Sequence, residues 1–165
     1  MSLRRALGGR QEFLVVLVSA LGYFVDVYDL ILYSIVRRAS LLELGVPAEN
    51  LLSVGVQLLN AQMLGMLLGG ILWGIWGDKR GRVTVLFGSI VLYSLANLAN
   101  AFVHSVDAYL ILRFVAGVGL AGELGAGIPL VSETLSKENR GYGTTIVASV
   151  GVAGAVVAAL IAGLF

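Results

Sequence analysis

Five apolar stretches, each long enough to cross a bilayer as a helix, limit what this chain can become more than any other feature. A hydrocarbon core about 30 Å thick is crossed by roughly 20 apolar residues in helical form. The runs at about 13–36, 51–76, 83–104, 107–131 and 143–165 reach that length with few charges inside them. In lipid every backbone N–H and C=O has to be satisfied internally, which a helix does within its own segment. The reading is therefore an all-α integral membrane protein of five transmembrane helices, residues 1–165 forming one helical domain. A chain that is 58% hydrophobic and 13% charged suits lipid as its main solvent. Its 22 glycines against 2 prolines suit helices packed backbone to backbone rather than a linker. The lack of cysteine removes disulfides, thiol catalysis and cysteine-held metals, and a formal net charge of +1 gives no nucleic-acid footprint. No cofactor or metal site is read. An intramembrane enzyme finds no nucleophile with a base, since the single histidine, His104, sits in an outer turn.

Cationic loops are held on the cytoplasmic side of a membrane. Arg4, Arg5 and Arg10 in the tail, Lys79, Arg80 and Arg82 after the second span, and Lys137 and Arg140 after the fourth all fall on one side, against Arg37 and Arg38 on the other. This predicts a multi-pass protein of the cell (inner) membrane with its N-terminus cytoplasmic and Phe165 at the outer face. Leu41–Asn50, with Pro47, reads as an outer loop, and His104–Asp107 as a tight outer turn. A cleaved signal peptide is the alternative for the first run, but the run is too long and no small-residue cleavage pattern precedes Asp26 and Asp29. Trp73 and Trp76 read as interface anchors. Gly151, Ala155, Ala159 and Gly163 recur every four residues and predict a helix-packing stripe. The Ala-Gly-Leu-Phe ending has no polar tail, which suggests a piece of a longer chain.

The most informative loop is Gly74-Ile-Trp-Gly77-Asp78-Lys79-Arg80-Gly81-Arg82, between two apolar runs. Gly74 and Gly77 allow close packing, Gly81 permits a turn, and Asp78 can accept bonds from arginines or from a helix N-terminus. The loop resembles the signature between the second and third helices of the major facilitator superfamily, with Val83 in place of the final basic residue. A second match lies in the fourth span: Arg113-Phe-Val-Ala-Gly117-Val-Gly119-Leu-Ala-Gly122-Glu123, followed by Glu133 and Arg140-Gly141. It resembles the sugar-porter and metabolite-proton-symporter branches. Asp26-Val-Tyr-Asp29 resembles the paired aspartates of aromatic-acid-proton symporters, with Val27 where those have glycine. The resemblance implies an amino-terminal bundle that lacks the sixth helix and the second bundle. Those would come from another chain, a second copy or a full-length protein.

Gly22, Asp26, Asp29 and Tyr33, spaced by four, three and four, share one helical face. At 1.5 Å per residue, Asp26 and Asp29 lie roughly 20 and 24 Å from the cytoplasmic end of the first span, and Arg113 roughly 27 Å from the cytoplasmic end of the fourth. An ion pair is then within reach, which matters because charges near the bilayer centre cost several kcal/mol unless paired or hydrated. The competing reading has Arg113 snorkelling to the outer interface, with the aspartates facing a wet cavity. Glu123 lies roughly 12 Å deep and needs protonation or a partner. Gln57, Asn60, Gln62, Asn97 and Asn100 either bond between helices, the commoner use, or line a path.

In the resembled branches, a first-helix aspartate beside a fourth-helix arginine is the titrating site. That role maps onto Asp26 or Asp29 with Arg113. Gly74, Asp78, Lys79, Gly81, Arg82, Glu133 and Arg140 would form a conformational latch on the cytoplasmic side. The function implied is part of a proton-coupled symporter for a small organic solute, with an organic anion favoured and a sugar or organic cation as alternatives. A non-transporting truncated piece or helical membrane scaffold is the reading from a different class.

Overall fold

A computed structural model describes residues 9–163. Arg4, Arg5 and Phe165, on which part of the orientation argument rests, lie outside the described residues. Five helices follow in order: α1 (Arg10–Glu43), α2 (Leu51–Arg80), α3 (Arg82–Asn100), α4 (Val106–Thr134) and α5 (Arg140–Ala162), with a 3-10 turn at Ala48–Asn50. All five are long and apolar enough to cross a membrane.

Helix ends depart from the hydropathy limits for two reasons. α1 runs to Glu43, seven residues past the expected end at 36, and so takes Arg37 and Arg38 into the helix rather than the loop. Charge ends an apolar run, but arginine is a good helix former. The helix stops where the backbone turns at Gly45, φ 78°, just before Pro47. α3 does the reverse. Apolar residues continue to Val103, yet Ala101 and Phe102 donate to the carbonyls of Leu98 and Ala99 and close a turn.

The chain divides into two compact units, one of residues through Leu32 with those from Leu124 onward, the other Tyr33–Glu123. The division falls within α1 and α4. In the first unit Val16, Ala20, Val131, Leu135 and Val147 form the core. A Cβ on Gly151 would overlap the Tyr23 ring, and one on Gly154 the carbonyl of Phe24. The buried stripe of α5 is therefore Gly143, Val147, Gly151, Gly154 and Ala158, while Ala159 and Gly163 of the expected four-residue row are exposed. A strict four-residue step rotates by about 40° each time on a 3.6-residue helix, so the row walks off the contact face.

In the second unit α2 and α4 lie side by side in the same direction. A Cβ on Gly65 would overlap the Phe114 carbonyl, one on Gly69 would sit 2.7 Å from Val118 Cα, and one on Gly117 would overlap the Gln62 carbonyl. One turn beyond Gly69, Trp73 Nε1 donates to the Val118 carbonyl at 2.7 Å. Trp73 is thus a helix-to-helix tether, stacked on Trp76 at 5.6 Å between ring centroids, and not only an interface anchor. α3 meets α4 the same way: a Cβ on Gly119 would lie 2.7 Å from Tyr93 N. The leucines, valines and isoleucines on the outward faces remain exposed, as a lipid-facing surface requires.

Candidate functional site

Within the second unit the ionisable centre is built from α1 and α4. Tyr109 and Arg113 are one turn apart on α4 and project from the same face, and α1 brings Tyr33 across to them. The Arg113 guanidinium carbon lies 3.7 Å from the Tyr33 ring centroid and 5.6 Å from that of Tyr109. The two rings meet edge to face at 6.3 Å and 87°. Leu41, Val46 and Leu58 pack around the pair of tyrosines, and Arg113 is 6% exposed. Its charge is therefore enclosed by aromatic faces rather than led out to the surface. A stacked guanidinium keeps its N–H donors in its own plane, so it can stack on a ring and bind a carboxylate edge-on at the same time.

Asp26, 2% exposed, and Asp29, half-buried, belong to the first unit. Glu123, 8% exposed, closes the second. Burial of all these ionisable groups within membrane-length helices marks them as functional candidates. Two of the five amides behave differently from the interhelical bonding expected of them: among the described residues Gln62, at 2% exposure, and Asn100 have both side-chain amide atoms buried without a hydrogen-bond partner. Interhelical bonds are made by Trp73 and by Ser19, whose hydroxyl donates to the Gly127 carbonyl at 3.4 Å.

The α2–α3 connection is a single residue. Gly81 has φ 85° and ψ 155°, donates to the Gly77 carbonyl at 2.9 Å, and α3 begins at Arg82. Gly77 is buried, with the Val85 and Arg82 side chains next to it. Gly74 is exposed, and nothing lies within 4 Å of where its Cβ would be, so the close packing expected there is absent among the described residues. Asp78 and Lys79 are exposed at the end of α2, and Glu133 is exposed at the end of α4. Arg140 acts locally, its Nε donating to the Leu135 carbonyl at 3.1 Å and so satisfying the backbone just after α4.

Two features escaped sequence reasoning. The aromatic cover on Arg113 had a signal in the Tyr109–Arg113 spacing and in Tyr33 on the acidic face of α1. The second is a cavity of about 540 Å³ lined by Ser40, Glu43, Asn100, His104 and Tyr109 among others. Tyr109 is shared between it and the arginine. Among the described residues no group of three His, Cys, Asp or Glu is placed to hold a metal.

Compared with protein families, residues 13–165 match the model of the Major Facilitator Superfamily. The chain belongs to that superfamily. With five spanning helices it is a multi-pass membrane protein, and its family is one of transporters rather than enzymes. It is 35% identical over 144 residues to the putative niacin/nicotinamide transporter NiaP of Bacillus subtilis strain 168, covering 87% of this chain and 35% of that protein. It is 31% identical over 156 residues to the niacin transporter NiaP of Acinetobacter baylyi, covering 93% and 34%. It is 33% identical over 128 residues to the 4-hydroxybenzoate transporter PcaK of Pseudomonas putida, covering 78% and 27%. The chain thus spans about a third of the length of the curated relatives it matches. The Gly74–Arg82 segment, expected as a loop, is instead the last two turns of α2, the Gly81 turn and the first residue of α3, and Arg113 stands in the first half of α4.

Proposed function

We propose that this chain is the amino-terminal bundle of a proton-coupled symporter for a small organic anion, working by alternating access with a second bundle. The observation that carries the reading is the enclosed cation. Arg113 is buried in a membrane-spanning helix and stacked on Tyr33, and a guanidinium stacked in this way engages carboxylates edge-on. The named relatives point the same way, since niacin and 4-hydroxybenzoate are both aromatic carboxylic acids.

In this reading Asp26, Asp29 and Arg113 form one electrostatic unit, with Glu123 nearer the cytoplasmic side. An uncompensated charge at this depth costs several kcal/mol. Arrival of an anionic solute at Arg113 therefore favours proton uptake by the carboxylates, which couples the two movements. Gly74, Asp78, Lys79, Gly81, Arg82, Glu133 and Arg140 bias which side is open, on the cytoplasmic face of the cell (inner) membrane. The partners are the lipid bilayer, the solute and its proton, and the helices that complete the transporter.

The test is a double-mutant cycle of Asp29→Asn and Arg113→Gln in the transporter completed by its second bundle, read by uptake with and without an imposed pH gradient. Each single variant is expected to abolish gradient-driven uptake, and the double variant to regain expression without regaining transport. Additive effects on stability would separate the residues. Uptake that ignores the gradient would remove the proton from the mechanism. Asp78→Asn should leave solute binding in place and slow transport. Equal loss of both would end the latch assignment.

A further inference from the structure

Arg37 and Arg38 stand at the end of the second unit remote from the Gly81 turn, and the transport reading gives them no role. α2 measures their surroundings. Its 30 residues rise roughly 45 Å, about the thickness of a bilayer with its headgroups, ~40–45 Å. With Lys79 and Arg80 in one headgroup layer, Leu51 falls in the other, and Arg37 and Arg38 lie beside it. Cations are scarce on that side, and no carboxylate among the described residues forms an ion pair with either arginine. Both line a cavity of about 240 Å³ whose remaining walls are Ala48, Leu51 and Leu52. Leu52 is 72% exposed.

Arg37 is also held in position. It is half-buried, and its side chain lies across Gly55, where a Cβ would come within 2.9 Å of Nε and 3.0 Å of Cδ. The cavity is smaller than the roughly 300–1,000 Å³ that encloses a drug-sized solute, so most of any occupant lies outside it, along an apolar wall.

We propose that the Arg37, Arg38 and Leu51–Leu52 cavity binds the phosphodiester headgroup of an anionic phospholipid, whose acyl chains lie along the exposed face of α2. Two guanidiniums match the phosphate oxygens in number and in fork geometry, and the leucine wall continues into the hydrocarbon layer. A soluble anion would share the cation contacts but would have no use for that wall.

Photo-crosslinking decides it. The full chain in phosphatidylcholine nanodiscs is given phosphatidylglycerol carrying a diazirine on its headgroup, and labelling of the Ala48–Leu52 peptide is followed against lipid fraction. Each cation beside an anionic surface contributes about 1 kcal/mol, so Arg37→Gln and Arg38→Gln should each raise the half-labelling fraction roughly fivefold, and the pair roughly thirtyfold. Gly55→Ala, which keeps both charges and displaces Arg37, should also weaken labelling severalfold. It carries the test by itself if the double variant fails to fold. Diazirine-bearing phosphatidylcholine should label poorly. Unchanged labelling in the double variant or in Gly55→Ala overturns the proposal, as does complete protection by inorganic phosphate or benzoate, which would make this a site for soluble anions.

Discussion

The guanidinium carbon of Arg113 rests 3.7 Å above the Tyr33 ring, which makes a residue of α1 the lid over the charge of α4. A desolvated cation–π contact is worth about 2 kcal/mol. Tyr33→Phe, which keeps the ring face, should leave thermal stability within about 0.5 kcal/mol. Tyr33→Leu should lower it by roughly 2 kcal/mol, and by much less when Arg113 is already glutamine. Equal effects of Tyr33→Leu in both backgrounds, read by thermal denaturation in detergent, would show that ring and cation do not interact.

Glycines on one helix separate into two kinds. A Cβ on Gly65 would overlap the Phe114 carbonyl, whereas one on Gly70 meets nothing within 4 Å. Gly65→Ala should destabilise by about 1–3 kcal/mol through overpacking. Gly70→Ala should be neutral or stabilise by up to about 1 kcal/mol, because alanine restricts the unfolded chain. The comparison needs two melting curves, and reversed signs would refute the α2–α4 contact.

Gly81 turns α2 into α3 with φ 85° and ψ 155°, a region open almost only to glycine. Gly81→Ala should cost about 1–3 kcal/mol and, in the completed transporter, reduce transport by misplacing Asp78 and Arg82. A variant as stable as the parent would mean that the turn relaxes to an ordinary backbone.

Orientation can be read directly, because the chain has no cysteine of its own. Lys79→Cys should resist a membrane-impermeant thiol reagent in intact cells and react after permeabilisation, while Leu52→Cys should react from outside. The opposite pattern would invert the protein.

Much of this architecture was legible from hydropathy and from single residues. The five spans followed from bilayer thickness, and Gly81 followed from the need for a tight turn between two helices. Helix ends were not legible, because hydropathy reports where lipid is tolerated whereas backbone hydrogen bonding decides where a helix stops: Arg37 and Arg38 lie inside α1, and Ala101 to Val103 lie outside α3. The burial of Arg113 was suspected from its depth, but its aromatic cover was not, since contact between α1 and α4 depends on a helix rotation that period alone does not define. Trp73 misled for a related reason. Tryptophan near a membrane boundary is read as an anchor, and only the rotation of α2 turns its N–H toward Val118.

Where Gly65, Gly69 and Gly117 bring α2 against α4, main chain touches main chain with no side chain between. Such a joint has no rotamers to rearrange, so it cannot absorb displacement by yielding. Within the second unit, Gln62–Trp73 of α2 and Phe114–Gly122 of α4 are then locked in register, so the two stretches shift together or not at all. Slow amide exchange along this seam, and faster exchange in the last turns of both helices, would be the mechanical signature of that stiffness.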